Sequence, residues 1–186
     1  MTDKSIRHEK LNGGYLRYDH LLGKSFEHGK QDCYTILADL FKDNLNVTLT
    51  AYARPDDWWI DDDMDLDLYR QNYEREGFQL VDMQHVRDLR ILDVALISIP
   101  DPRNPKRTVI NHCAIYVGEG MVVHHPYGRF SEKSRYAGGL KNFTSMIIRH
   151  RDVPDLEVRK EQKLDLMSMM LPHKRAVLEE QLNERK

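Results

Sequence analysis

Apolar residues fall at Ile36, Leu37, Leu40 and Phe41, the spacing of one helix face. Asp32 stands just ahead of this run, where its carboxylate can accept a first-turn N–H as an N-cap. The helix is predicted to end near Asn44 to Asn46. Residues 1–14 are polar and close on the turn signal Asn12-Gly13-Gly14. Residues 15–22 read as a short helix or an extended segment, and residues 23–30 as a loop running into the helix. Residues 47–64 read as irregular around Arg54-Pro55-Asp56-Asp57-Trp58-Trp59. Leu66, Tyr69 and Tyr73 then share a face, predicting a second helix over about 65–76 with Gly77 as its stop.

Beyond this point the character changes. Val94, Leu96, Ile97 and Ile99 form a short apolar run ended by Pro100, the pattern of a buried strand. Residues 112–117 predict a second strand, Gly118-Glu119-Gly120 a hairpin loop, and residues 121–125 a third strand. A polar, glycine-containing connection follows over 126–139, and residues 145–150 predict a fourth strand. Helices first and an antiparallel meander second make an α+β domain over residues 1–150. Residues 151–186 read as a separate, charged extension. It holds one apolar cluster around Met167, Met169 and Met170, a break at Pro172, and a helical pattern over 174–186.

Composition narrows the class. The chain has 186 residues, 40% of them hydrophobic, with a net charge of −2. That suits an ordinary globular domain and lacks the basic stripe that nucleic acid requires. Two cysteines make no disulfide framework. The first residues carry no apolar leader, and no apolar run is long enough to cross a bilayer. The expectation is synthesis in a cytoplasm, no membrane insertion, and access to any outside target without the general secretion route.

The chemistry gathers at Cys33. A helix N-terminus favours the thiolate and offers N–H groups to a developing oxyanion. A nucleophilic cysteine needs a base, and the base an orienter. His112 opens one predicted strand, and His124 and His125 close the next. A three-residue loop with a left-handed Gly120 makes Val117 face Met121 and puts His124 on the His112 face. A two-residue Glu119-Gly120 turn reverses the parity and selects His125. On the first reading, His112 takes the Cys33 proton and His124 fixes the His112 tautomer.

Plainer readings stand beside these. A cysteine on a helix is most often a small buried hydrophobe, and Cys113 reads that way, facing away from His112. A zinc site from Cys33, His112, Cys113 and His124 would need both faces of one strand. Asp61, Asp63, Asp65 and Asp67 alternate like a calcium loop but have Leu66 at the sixth position and Asn72 at the twelfth. No metal and no cofactor is therefore predicted. Trp58 and Trp59 could line a groove or anchor their loop.

Asp32-Cys33 at a helix start, Asn111-His112-Cys113-Ala114-Ile115-Tyr116-Val117-Gly118 on a strand, and Val123-His124 on the next resemble the NlpC/p60 family of papain-like cysteine peptidases. The step from His112 to His124 suits that family, and Leu92-Asp93 stands where it usually has Gly-Asp. Within the family the likeness is to lambda-type phage tail-tip assembly proteins. It extends to His28-Gly29, to Arg54-Pro55-Asp56-Asp57-Trp58-Trp59, and to His124-His125-Pro126-Tyr127-Gly128-Arg129-Phe130-Ser131, covering roughly residues 15–150. The resemblance implies a papain-like NlpC-type fold and hydrolysis of peptidoglycan stem peptides by Cys33, His112 and His124. The bond implied is that from γ-D-glutamyl to diaminopimelate or lysine. It implies substrate contacts at Phe26, Asp32, Trp58 and His125, and other tail-tip proteins as partners, with residues 151–186 as a candidate contact. Phe26 occupies the place where the family often carries a tyrosine. The rival reading is a structural tail-tip assembly protein that reuses the fold.

Overall fold

A computed structural model describes residues 10–11, 14–64, 66–82 and 89–154. The predicted helix over 174–186 and the methionine cluster lie outside these residues, as does Asp65.

Helix α1 spans Cys33–Leu45, and the Asp32 side chain accepts the Thr35 N–H at its start. Asn46 closes it in the left-handed conformation (φ 56°), which asparagine tolerates better than most residues. Ile36, Leu37, Leu40 and Phe41 are all buried, so the apolar stripe is the face turned to the core. Helix α2 covers only Leu68–Asn72, a shorter element than the 65–76 expected. Its cap is Asp67, whose carboxylate accepts the Arg70 N–H, so Leu66 falls outside it. At the other end a turn continues to Gly77, in which the Glu76 N–H still donates to the Asn72 carbonyl (3.0 Å), while the Glu76 carboxylate accepts the Thr50 N–H and the Tyr52 hydroxyl.

A short antiparallel pair, β1 (Lys10–Leu11) and β2 (Gly14–Tyr15), precedes the main sheet. That sheet has six strands: β3 (Phe78–Val81), β4 (Val94–Ile97), β5 (His112–Gly118), β6 (Met121–His124), β7 (Glu132–Arg135) and β8 (Thr144–His150). Their order is β3-β8-β4-β5-β6-β7, antiparallel throughout. Helix α1 packs on β5 and β6. The central strand β4 is buried at every residue and stops at Ile97, two residues short of the predicted end.

Strands β3 and β7 and the short helix α3 (Gly138–Asn142) are not foreseen by the apolar pattern. Strand β7 reads Glu-Lys-Ser-Arg, with no apolar residue at all. It is an edge strand, held by backbone pairing with β6 and by the side-chain bonds of Ser134 to His124 and of Lys133 to Tyr18. Strand β3 is the opposite edge, with Gln79 and Leu80 exposed.

The β5–β6 hairpin combines both alternatives left open by the sequence. Its turn is the two-residue form, with Glu119 (φ 54°) and Gly120 (φ 71°) both left-handed and Gly118 paired to Met121. A bulge between Tyr116 and Gly118 then absorbs one residue, and Ala114 pairs with His124. That is the register of the three-residue loop, reached by another route.

Candidate active site

Cys33 is the first residue of α1 and sits partly exposed in a cleft of about 210 Å³. The start of the helix is held hard. Asp32 accepts from Thr35 N (3.0 Å), Gly29 N (2.8 Å) and Arg54 Nε (2.8 Å). Gly29 can turn its N–H to the carboxylate because it adopts φ 75°, open to glycine at little cost. Arg54 donates further to the carbonyls of Tyr52 and Gly29 and lies over the Tyr34 ring. Burial works against the Asp32 charge. Arg54 and the two backbone donors outweigh it and hold the carboxyl below its ordinary value.

Asp32, assigned above to substrate contact, is thus only 3% exposed and already saturated with protein donors. Its work in this structure is to fix the start of α1. Trp58 is likewise buried, whereas Trp59 is half-buried and donates to Asp101 Oδ2 (3.0 Å).

His112 Nε2 and His124 Nδ1 are 3.0 Å apart in a buried pair. His124 Nε2 continues to Ser134 Oγ at 2.9 Å, with Glu132 Oε1 3.4 Å away. Burial first, and then the neighbouring His112 charge, push the His124 pKa down to about 3. His124 is therefore neutral near pH 7. With the Glu132 carboxylate beside Nε2, we assign the proton to that nitrogen, so that His124 donates toward Ser134 and accepts the His112 Nε2–H at Nδ1. That leaves His112 Nδ1 for the Cys33 sulfur.

The Cys33 thiol is held well below its ordinary range. The Cys113 thiol beside it lowers it most, burial opposes, and the hydrogen bond and charge of His112 lower it further. Cys113 is fully buried, and burial pushes its own pKa up, so it stays protonated. Its S–H has the Cys33 carbonyl oxygen at 3.1 Å. The reading of Cys113 as a buried residue facing away from His112 holds, and the structure adds that it lies beside Cys33. His112 and Cys113 do leave β5 on opposite faces, yet both act on Cys33, because α1 begins against the first residues of β5. Both cysteines are free thiols.

Aromatic side chains wall the cleft. The Phe26 ring lies 5.4 Å from His125 and 4.9 Å from Tyr127, and Trp59 stands 5.6 Å from both His28 and Tyr127. Ser131 anchors the Phe26 loop by donating to the Leu21 carbonyl (2.7 Å) and accepting the Lys24 N–H (2.9 Å). His125 is buried behind this wall, with Nε2 3.2 Å from the Arg129 carbonyl. Sequence reasoning missed Ser134, Glu132 and Tyr69. The first two sit on the unforeseen β7. Among the described residues no cluster of His, Cys, Asp or Glu is arranged to hold a metal ion.

The depressed His124 makes stability pH-dependent. An unfolded imidazole takes up its proton near 6.5, whereas the folded one does so only near 3. The unfolded state therefore binds more protons between those values, and stability falls as pH drops through them. The slope from His124 approaches roughly 1.4 kcal/mol per pH unit. Burial depresses His150 as well, so the slopes add. His124→Asn is expected to flatten the His124 share in urea unfolding between pH 7 and 4. An unchanged slope would contradict the neutral assignment.

The chain shares part of its sequence with known proteins. It is 32% identical over 132 residues to the tail tip assembly protein K of Escherichia phage lambda, covering 71% of this chain and 60% of that protein. The chain is similar to phage tail tip assembly protein K. The protein K of Escherichia phage N15 is 27% identical over 134 residues, covering 72% of this chain and 50% of its own length. The chain thus spans half to about three fifths of these relatives. No protein-family profile matches it. Two solved structures overlap it in part. An NlpC/P60 family protein from Bacillus cereus gives a TM-score of 0.42 at 19% identity, covering 66% of this chain and 32% of that one. NlpC1 from Trichomonas vaginalis gives 0.44 at 20%, covering 69% and 40%. The α+β description rests on the strand order and on the packing of α1 against the sheet.

Proposed function

We propose that the protein is a phage tail-tip cysteine peptidase that hydrolyses an amide bond in peptidoglycan stem peptides. The observation that carries this reading is the line from the Cys33 sulfur through His112 to His124 and Ser134, with a neutral His124 in the orienting place. His112 Nδ1 takes the Cys33 proton, and the thiolate attacks the amide carbonyl carbon. The Cys33 N–H, unpartnered within the helix at its first turn, receives the oxyanion. His112 then protonates the leaving amine, and water hydrolyses the thioester with His112 again as base. The bond we assign, from γ-D-glutamyl to diaminopimelate or lysine, rests on the likeness of the Cys33 and His112 motifs to NlpC/p60 peptidases. Phe26, Trp59 and Tyr127 are the exposed or half-exposed wall available to the substrate, with His125 behind them.

A second reading comes from the relatives' names, which describe tail tip assembly. Residues 1–150 would serve as the peptidase domain, and residues 151–186 as the contact with other tail-tip proteins. Assembly and hydrolysis are compatible in one chain.

End-group chemistry on purified cell walls separates the classes. A peptidase exposes new amines, a glycosidase exposes new reducing ends, and an assembly protein without activity exposes neither. New amines that vanish with Cys33→Ala support the proposal. Intact walls from several sources, with folded protein, would move it to assembly alone.

A further inference from the structure

Tyr69 is a residue of α2 that the mechanism above leaves without a task. Its ring is buried against Tyr34, and its hydroxyl lies 3.3 Å from Cys33 Sγ and 3.3 Å from Cys113 Sγ. A phenol carries one proton, and here two sulfurs compete for it. Cys113 keeps its own S–H, which has the Cys33 carbonyl in reach. Burial first, and then the two sulfurs, push the Tyr69 pKa well up, so it remains a neutral O–H donor. When Cys33 ionises, the anion is the stronger acceptor, since hydrogen bonds to charged groups exceed those to neutral ones.

We propose that the Tyr69 hydroxyl is a catalytic hydrogen-bond donor to the Cys33 thiolate, switching between Cys113 Sγ and Cys33 Sγ as the nucleophile ionises and reacts. The cycle balances without moving the phenolic proton to another atom. His112 takes the thiol proton, and Tyr69 turns its O–H to the sulfur anion. The S–C bond then forms, and the carbonyl π pair moves to oxygen. With no anion left on sulfur, the O–H returns to Cys113. The thiolate is thereby held ionised and aimed in the resting enzyme. The donor's pull also makes the sulfur somewhat less nucleophilic, as a lower thiol pKa always does.

The groups acting on this sulfur come from three directions. His112 and Cys113 on β5 favour its ionisation, the Asp32 carboxylate of the preceding residue opposes it, and the Tyr69 hydroxyl approaches it from α2 at 3.3 Å. Tyr69→Phe removes one oxygen from that set and with it the hydrogen bond to Cys113 Sγ.

The inference rests on reading Cys33 as the nucleophile, and its test reads the thiol with no substrate present. The full-length protein is alkylated with iodoacetamide from pH 4 to 9, and Cys33 is separated from Cys113 by peptide mass mapping. In the wild type the Cys33 midpoint is expected well below that of an ordinary thiol. Tyr69→Phe is expected to raise it by about one pH unit, an approximately tenfold slower reaction below the midpoint. At high pH its plateau rate should equal or exceed the wild type's. Placing 3-fluorotyrosine at position 69 makes a stronger donor and should lower the midpoint. Opposite shifts from the two variants are beyond a residue that only packs. An ordinary wild-type midpoint would remove Cys33 as nucleophile. A low wild-type midpoint unmoved by either variant would overturn the role of Tyr69 alone.

Discussion

Cys33→Ala is expected to abolish hydrolysis of stem peptides, lowering kcat/KM by about 10⁴- to 10⁶-fold, the range found when a covalent nucleophile is removed. The fold should survive, since the sulfur is partly exposed and the helix start hangs on Asp32 rather than on Cys33. Thermal unfolding should shift little, which separates lost chemistry from lost structure. His112→Ala should cost nearly as much, because the proton has no other acceptor and the leaving amine no other donor. Combining the two should cost scarcely more than either alone, as expected of groups acting as one unit. A double variant much worse than either single one would contradict the proposed pair.

The second large effect is on stability. Arg54→Met is expected to destabilise the protein by about 3–5 kcal/mol, since it leaves the Asp32 carboxylate charged and nearly unexposed. In a domain of this size that lowers Tm by roughly 10 °C. Adding Asp32→Asn should restore much of the loss. The amide keeps an oxygen for the Thr35 N–H and no longer needs a cation, though its NH2 then faces the Gly29 N–H, which keeps the rescue incomplete. Calorimetry on the two single variants and the double reads this directly. A small loss in Arg54→Met, with no rescue in the double, would mean that Arg54 does not carry the carboxylate.

Much of the fold around this site was legible in the sequence. The face of α1, its Asp32 cap and its end near Asn46 follow from spacing and residue type, and so do the apolar strands β4, β5, β6 and β8. The edge strands were not legible. Strand β7 buries no apolar side chain that would mark it, so Ser134 and Glu132 stayed hidden with it. The hairpin shows why parity arguments are delicate: the turn is one residue shorter than supposed, and a bulge restores the register. Alternation correctly put Cys113 opposite His112 but could not show that α1 lies on the Cys113 side. Asp32 and Trp58 do line the cleft, but a sequence does not report that both are nearly buried or that Asp32 is already saturated with donors. Leu92 is instructive in the same way. It adopts φ 71° where the resembled family usually has glycine, a conformation that suits glycine far better than leucine.

The most direct measurement is mass spectrometry of peptidoglycan fragments after incubation with the purified protein, beside Cys33→Ala. Stem peptides cut at one amide bond are expected, between γ-D-glutamyl and diaminopimelate or lysine, with no such cut by the variant. Identical fragments from both proteins, on walls of both stem-peptide types, would contradict the proposal.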